Sequence, residues 1–93
     1  MSKLLAALLS KATSTAAQQQ RVLAMLEMRP HSSHEMHQRG IYHPPQRIKE
    51  LRSMGYPIET HRVTLVDEWG YSHRRCAMYE LHAPKQQGGQ YEL

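Results

Sequence analysis

Phenylalanine is absent from this 93-residue chain, and its one cysteine, Cys76, has no partner. Without phenylalanine, methionine, leucine and tyrosine have to fill the core. A lone cysteine excludes an internal disulfide and any cysteine-paired zinc spacing, and it suits a reducing, cytoplasmic compartment. No glycine-rich phosphate loop occurs, no Ser-His-Asp or Cys-His neighbourhood has motif support, and the acidic residues are scattered. Neither an enzyme nor a cofactor is expected. Long hydrophobic runs are missing too: the apolar stretch at 4–9 is cut off by Lys11, shorter than an export core of about 7–15 residues, and too short to cross a membrane. Acids number only eight against twelve Lys and Arg, giving a formal charge of +4 and a pI near 9.5, which favours an anionic partner.

What is present centres on residues 40–60, GIYHPPQRIKELRSMGYPIET. A residue before proline is pushed out of the α region, so Pro44 is expected outside a helix and Pro45 at its first position. Gly55 can take the left-handed conformation that ends a helix, Tyr56 can fold back onto Leu51, and Pro57 prevents continuation. The spacing therefore predicts a helix over 45–54. Ile48 and Leu51 form its packed face, while Gln46, Arg47, Lys49, Glu50 and Ser53 cover the rest.

The G-I-Y turn, the R-I-x-x-L-R helix and the G-Y-x-I exit resemble the winged helix-turn-helix domains of small phage and prophage proteins, with looser similarity from about Gln18 to about Leu81. The resemblance implies an α+β fold: a three-helix core, a two-stranded β-hairpin wing and an extra N-terminal helix. It implies no single biological role, since such domains serve repressors, excision factors, replication proteins and anti-host factors alike.

Ninety-three residues allow one domain, burying roughly 60–65% of its unfolded surface, so help from a partner or a second copy would be in keeping. Three parts are expected: an arm at 1–14, the winged domain at 15–82 and a flexible tail at 83–93, whose sequence APKQQGGQYEL has the composition of a loose end. In the arm, Leu4, Leu5, Leu8 and Leu9 fall on one side of a helix. That helix either lies on its own domain or pairs with a second copy to make a homodimer.

Thr15 followed by Gln18 reads as a capping box, so a support helix should begin near Ala16, bury Val22, Leu23, Leu26 and Met25, and end at Arg29-Pro30. Gln18, Gln19 and Gln20 read as its solvated first turn. A second box, Ser32 with Glu35, opens a short helix over 33–39, closed by Gly40 with Ile41 set against Met36. Four residues, 40–43, then lead into the Pro45 helix, the close connection that a helix-turn-helix needs. His31, His34 and His37 recur every third residue, but only neighbouring pairs share a helical face and no Cys or Asp interleaves them. They read as a polar outer face rather than a metal site. With seven histidines in the chain, nucleic-acid binding is expected to tighten below about pH 6.

Residues 58–66 and 71–81 read as the two wing strands, joined by the turn Asp67-Glu68-Trp69-Gly70. Alternation predicts Val63 and Leu65 facing inward with Ala77, Tyr79 and Leu81, while Arg62 and Arg74 face outward and Arg75 shares the inward row. Trp69 is expected to fold back on the sheet, the other reading being an exposed anchor for a protein.

The expected function is sequence-specific binding of double-stranded DNA by a phage or prophage regulatory protein acting in transcription, excision or replication. Gln46, Arg47 and Lys49 would approach base edges in the major groove, and Arg52, Arg62, Arg74 and Arg75 would hold phosphates. Arg47 and Arg52 could instead pair with Glu50, Glu59 or the wing. The alternative is a small protein-binding factor that modulates a host or phage protein. The acidic tip, Asp67 and Glu68, favours that alternative, and the basic helix and wing shank favour DNA.

Overall fold

The computed structural model describes residues 6–8 and 10–82. The proposed arm residues Leu4, Leu5 and Leu9, and the tail 83–93, lie outside the described residues. Leu8 is described, and it packs half-buried against the core.

The elements run α1 (Thr15–Met28), β1 (His31–Ser32), α2 (Ser33–Gln38), α3 (Pro44–Ser53), β2 (Ile58–Val66) and β3 (Ser72–Leu81). The strands form one antiparallel sheet in the order β1-β3-β2. The three helices pack on its inner face around Val22, Met25, Leu26, Met36, Ile41, Ile48, Leu51, Ile58, Ala77 and Tyr79. As expected, methionine takes the place of phenylalanine: Met25 and Met36 are among the largest fully buried side chains.

Helix ends follow local chemistry. α1 is capped by Ser14, whose Oγ accepts from the Ala17 amide, so the cap lies one residue before the expected Thr15 and, with Ala17 in the third helical position, the expected box with Gln18 does not form. Gln18 is instead buried: its Nε2 donates to the Thr13 carbonyl and its Oε1 accepts from the Tyr42 amide. It staples the start of α1 to the turn before α3. The Ser32–Glu35 box of α2 is complete in both directions, at 3.1 and 2.9 Å. Gly40, at φ 80°, lets Ile41 donate back to the Met36 carbonyl. α3 starts at Pro44 rather than Pro45, because both prolines fit the first turn, where no amide is needed. It ends where Gly55, at φ 103°, lets Tyr56 donate to the Leu51 carbonyl.

Three sequence expectations are corrected here. β1 was not foreseen, and it draws His31 into the sheet opposite Tyr79, buried, with Nδ1 2.8 Å from the Arg29 carbonyl, rather than onto an outer helical face. In the wing, Val63 pairs with Cys76, and it is Arg62 that stands opposite Ala77. Val63 and Leu65 therefore lie on the opposite face from Ala77, Tyr79 and Leu81, the reverse of the expected parity. Trp69 does not fold back; it is 79% exposed, beside exposed Tyr71 and Val66.

The N-terminal segment is held by Arg21, which is 3% exposed. Its Nη2 donates to the carbonyls of Ser10 and Ala12, and its Nη1 lies 3.4 Å from where a side chain on Gly40 would begin.

Candidate nucleic-acid interface

The short connection from α2 to α3 and the burial of Pro44, Ile48 and Leu51 fix which side of α3 meets solvent. That side carries Pro45, Gln46, Lys49, Arg52 and Ser53, three and four residues apart, all exposed. Lys49 makes no salt bridge among the described residues. Arg52 is braced against the wing, its Nε donating to the Ile58 carbonyl at 2.8 Å and its Nη2 to Thr60 Oγ1 at 2.6 Å, with no acid neutralising it among the described residues. Of the alternatives open to Arg52, this is the wing contact.

Arg47 takes the other alternative. It turns back between α1 and α3, with its side chain 12% exposed, its Nε 2.9 Å from Glu50 Oε1 and its Nη2 3.0 Å from Glu50 Oε2. The Nε hydrogen is not aimed at the carboxylate, and this is the one buried side-chain nitrogen without a hydrogen bond among the described residues. Gln19 from α1 and Gln46 also donate to Glu50. These donors, Gln19 foremost, lower the Glu50 pKa and keep it ionised. Glu50 thus organises the surface around it, a role that the spacing of Gln46 and Arg47 before it hinted at, whereas the α1 contribution depends on packing.

On the wing, the ladder steps from Val63–Cys76 to Leu65–His73, so β3 carries an extra residue. Arg74 and Arg75 together stand opposite Thr64, both exposed, with Arg75 at φ 58°. The bulge sets two guanidiniums two ladder steps from Arg62, whose Nη1 reaches the Arg75 carbonyl at 3.4 Å. On the same face as Arg62, Tyr79 is buried in the core: burial raises its pKa, and the nearby cations Arg62 and Arg52 oppose that rise. Among the described residues, Lys49, Arg52, Arg62, Arg74 and Arg75 form no salt bridge, in contrast to Arg29 and Arg47.

Asp67, Glu59 and Glu80 are occupied elsewhere. Asp67 shapes the wing tip, its Oδ1 accepting the amides of Trp69 and Tyr71 and its Oδ2 lying 2.9 Å from His73 Nε2. The hydrogen bond with His73 is the main reason its pKa falls. Glu59 and Glu80 meet His61 and His82 on the other face of the sheet. Three of the seven histidines, His61, His73 and His82, therefore stand against carboxylates.

Helix, strand, two helices joined by a tight turn and a strand pair, with strand order β1-β3-β2, is the architecture of one known domain family, and the winged helix-turn-helix domain matches residues 17–84. The chain belongs to that family. No curated protein and no solved structure matches it. Winged helix-turn-helix domains are typically non-catalytic and bind DNA, and α3 is the second helix of the helix-turn-helix unit here. Among the described residues, no helix is long and apolar enough to cross a membrane.

Proposed function

We propose that this winged helix binds double-stranded DNA in a sequence-selective way, with α3 in the major groove. Gln46 and Lys49 face base edges, with Arg47 behind them holding Glu50 in place. Arg52, Arg62, Arg74 and Arg75 hold phosphates on either side. The observation that carries this reading is the run of cations without acid partners among the described residues from α3 onto the bulged wing shank, whereas Arg29 and Arg47 are salt-bridged and Arg21 is buried. A regulatory role of the phage or prophage kind, in transcription, excision or replication, is supported by the sequence resemblance alone. Pairing of two copies through the N-terminal arm would give a two-part site.

Titration of the protein with duplex DNA over a salt series tests the reading. Affinity should fall linearly on a log-log plot, and Arg74→Ala with Arg75→Ala should reduce the slope by about 1–2. Absence of binding at low salt would overturn it. The exposed tip, Val66, Trp69 and Tyr71, supports a second reading, contact with a protein partner. Substituting Trp69 would abolish that contact and leave DNA binding intact.

A further inference from the structure

The face of the wing opposite Ile58, Ala77 and Tyr79 carries a group that the DNA-binding surface does not use. Glu59 and Glu80 are direct partners across β2 and β3. Like charges in that position repel one another and weaken a strand pair. The salt-bridge partners of both carboxylates among the described residues are histidines, not Lys or Arg. Alternation sets His61 on the same face two residues beyond Glu59, and His82 two residues beyond Glu80.

We propose that Glu59, His61, Glu80 and His82 form a site for a divalent transition-metal ion of the zinc type. Nε2 of His61 lies 2.9 Å from Glu80 Oε1 and 3.7 Å from Glu59 Oε1, and Nε2 of His82 lies 2.7 and 3.8 Å from Glu59 Oε1 and Glu80 Oε1. A tetrahedral ion with bonds of about 2.0–2.1 Å needs ligands roughly 3.3–3.4 Å apart, which these distances bracket. The ligand atoms of Glu59, His61 and Glu80 already lie within 4.8 Å of one another. His82, half exposed at the strand end, closes on them by side-chain rotation.

Two imidazoles select zinc, copper, nickel or cobalt over magnesium and calcium. An ion here turns a repelling pair into a link between the strands at the base of the wing, next to the exit from α3. Its two charges offset the two carboxylates. The sequence pattern E-x-H on one strand and E-x-H on the other carries the site, but it becomes visible only once the register sets Glu59 against Glu80.

The test uses the full chain without a histidine tag, at neutral pH. Zinc is titrated in by calorimetry, and cobalt is followed by visible absorption. One ion per chain, strong tetrahedral cobalt bands and a zinc-dependent rise in melting temperature are expected. The double variant His61→Gln/His82→Gln should lose all three, and so should Glu80→Gln, while His34→Gln/His37→Gln keeps them. The residues substituted at the site are substantially exposed, so the variants can be confirmed as folded by their circular dichroism. No zinc uptake by the wild type, or uptake unchanged in His61→Gln/His82→Gln, would overturn the proposal.

Discussion

Arg47 and Glu50 form a bidentate approach one turn apart on α3, at 2.9 and 3.0 Å, and the arginine is mostly covered. A covered pair of this kind costs stability when half of it is removed. Arg47→Ala should destabilise the fold by roughly 1–3 kcal/mol. It should leave the salt slope of DNA binding unchanged, because that guanidinium is directed into the protein. Chemical denaturation together with a salt series separates the two effects, and a slope reduced by about one in Arg47→Ala would place it on phosphate instead.

Lys49 has the opposite position, exposed and without an acid partner among the described residues. Lys49→Ala should cost about 1–3 kcal/mol of binding at a preferred site and relax discrimination there. Arg74→Ala should weaken all sequences similarly. Competition between a selected site and random duplex measures both.

Glu35 predicts the acid limit of the fold. Hydrogen bonding from Arg29 first, then from the Ser32 amide, overcomes partial burial and lowers its pKa to about 2. A lowered folded pKa gives stability that is fully present above the unfolded value near 4.5 and lost as pH falls towards about 2. Because Arg29 is more than half exposed, solvent screening limits the effect to roughly 1 kcal/mol. Glu35→Gln should flatten the stability curve between those pH values, as read by urea denaturation at successive pH.

Gly55 isolates a backbone effect. At φ 103°, with nothing within 4 Å of an added Cβ, Gly55→Ala meets no clash and only left-handed strain. A loss of about 1–2 kcal/mol is expected from thermal or urea unfolding.

Local chemistry made much of this legible beforehand. The Ser32–Glu35 box, the glycine stops at Gly40 and Gly55, and β2 over 58–66 follow from residues within one turn of each other. Where the reading missed, the deciding partner lay far away in sequence. β1 is two residues long, and only Tyr79 and Met78 make it a strand. The wing faces were reversed because parity cannot be assigned without knowing which residue stands opposite, and Arg62 rather than Val63 meets Ala77. The sequence sets Arg47 near its possible acids, but Gln19, which helps settle Glu50, arrives from α1. The sequence alone places Gln18 in a solvated first turn, because its two partners, the Thr13 carbonyl and the Tyr42 amide, are brought to it by the fold.

Arg21 stands at a mechanical junction. Its guanidinium grips the backbone at Ser10 and Ala12 and also lies against Gly40, where the chain turns from α2 towards α3. A tug on the segment before α1, whether from a second subunit or from a longer polypeptide, would load that side chain and bear directly on the turn. One arginine thus makes the front of the chain a lever on the turn between α2 and α3.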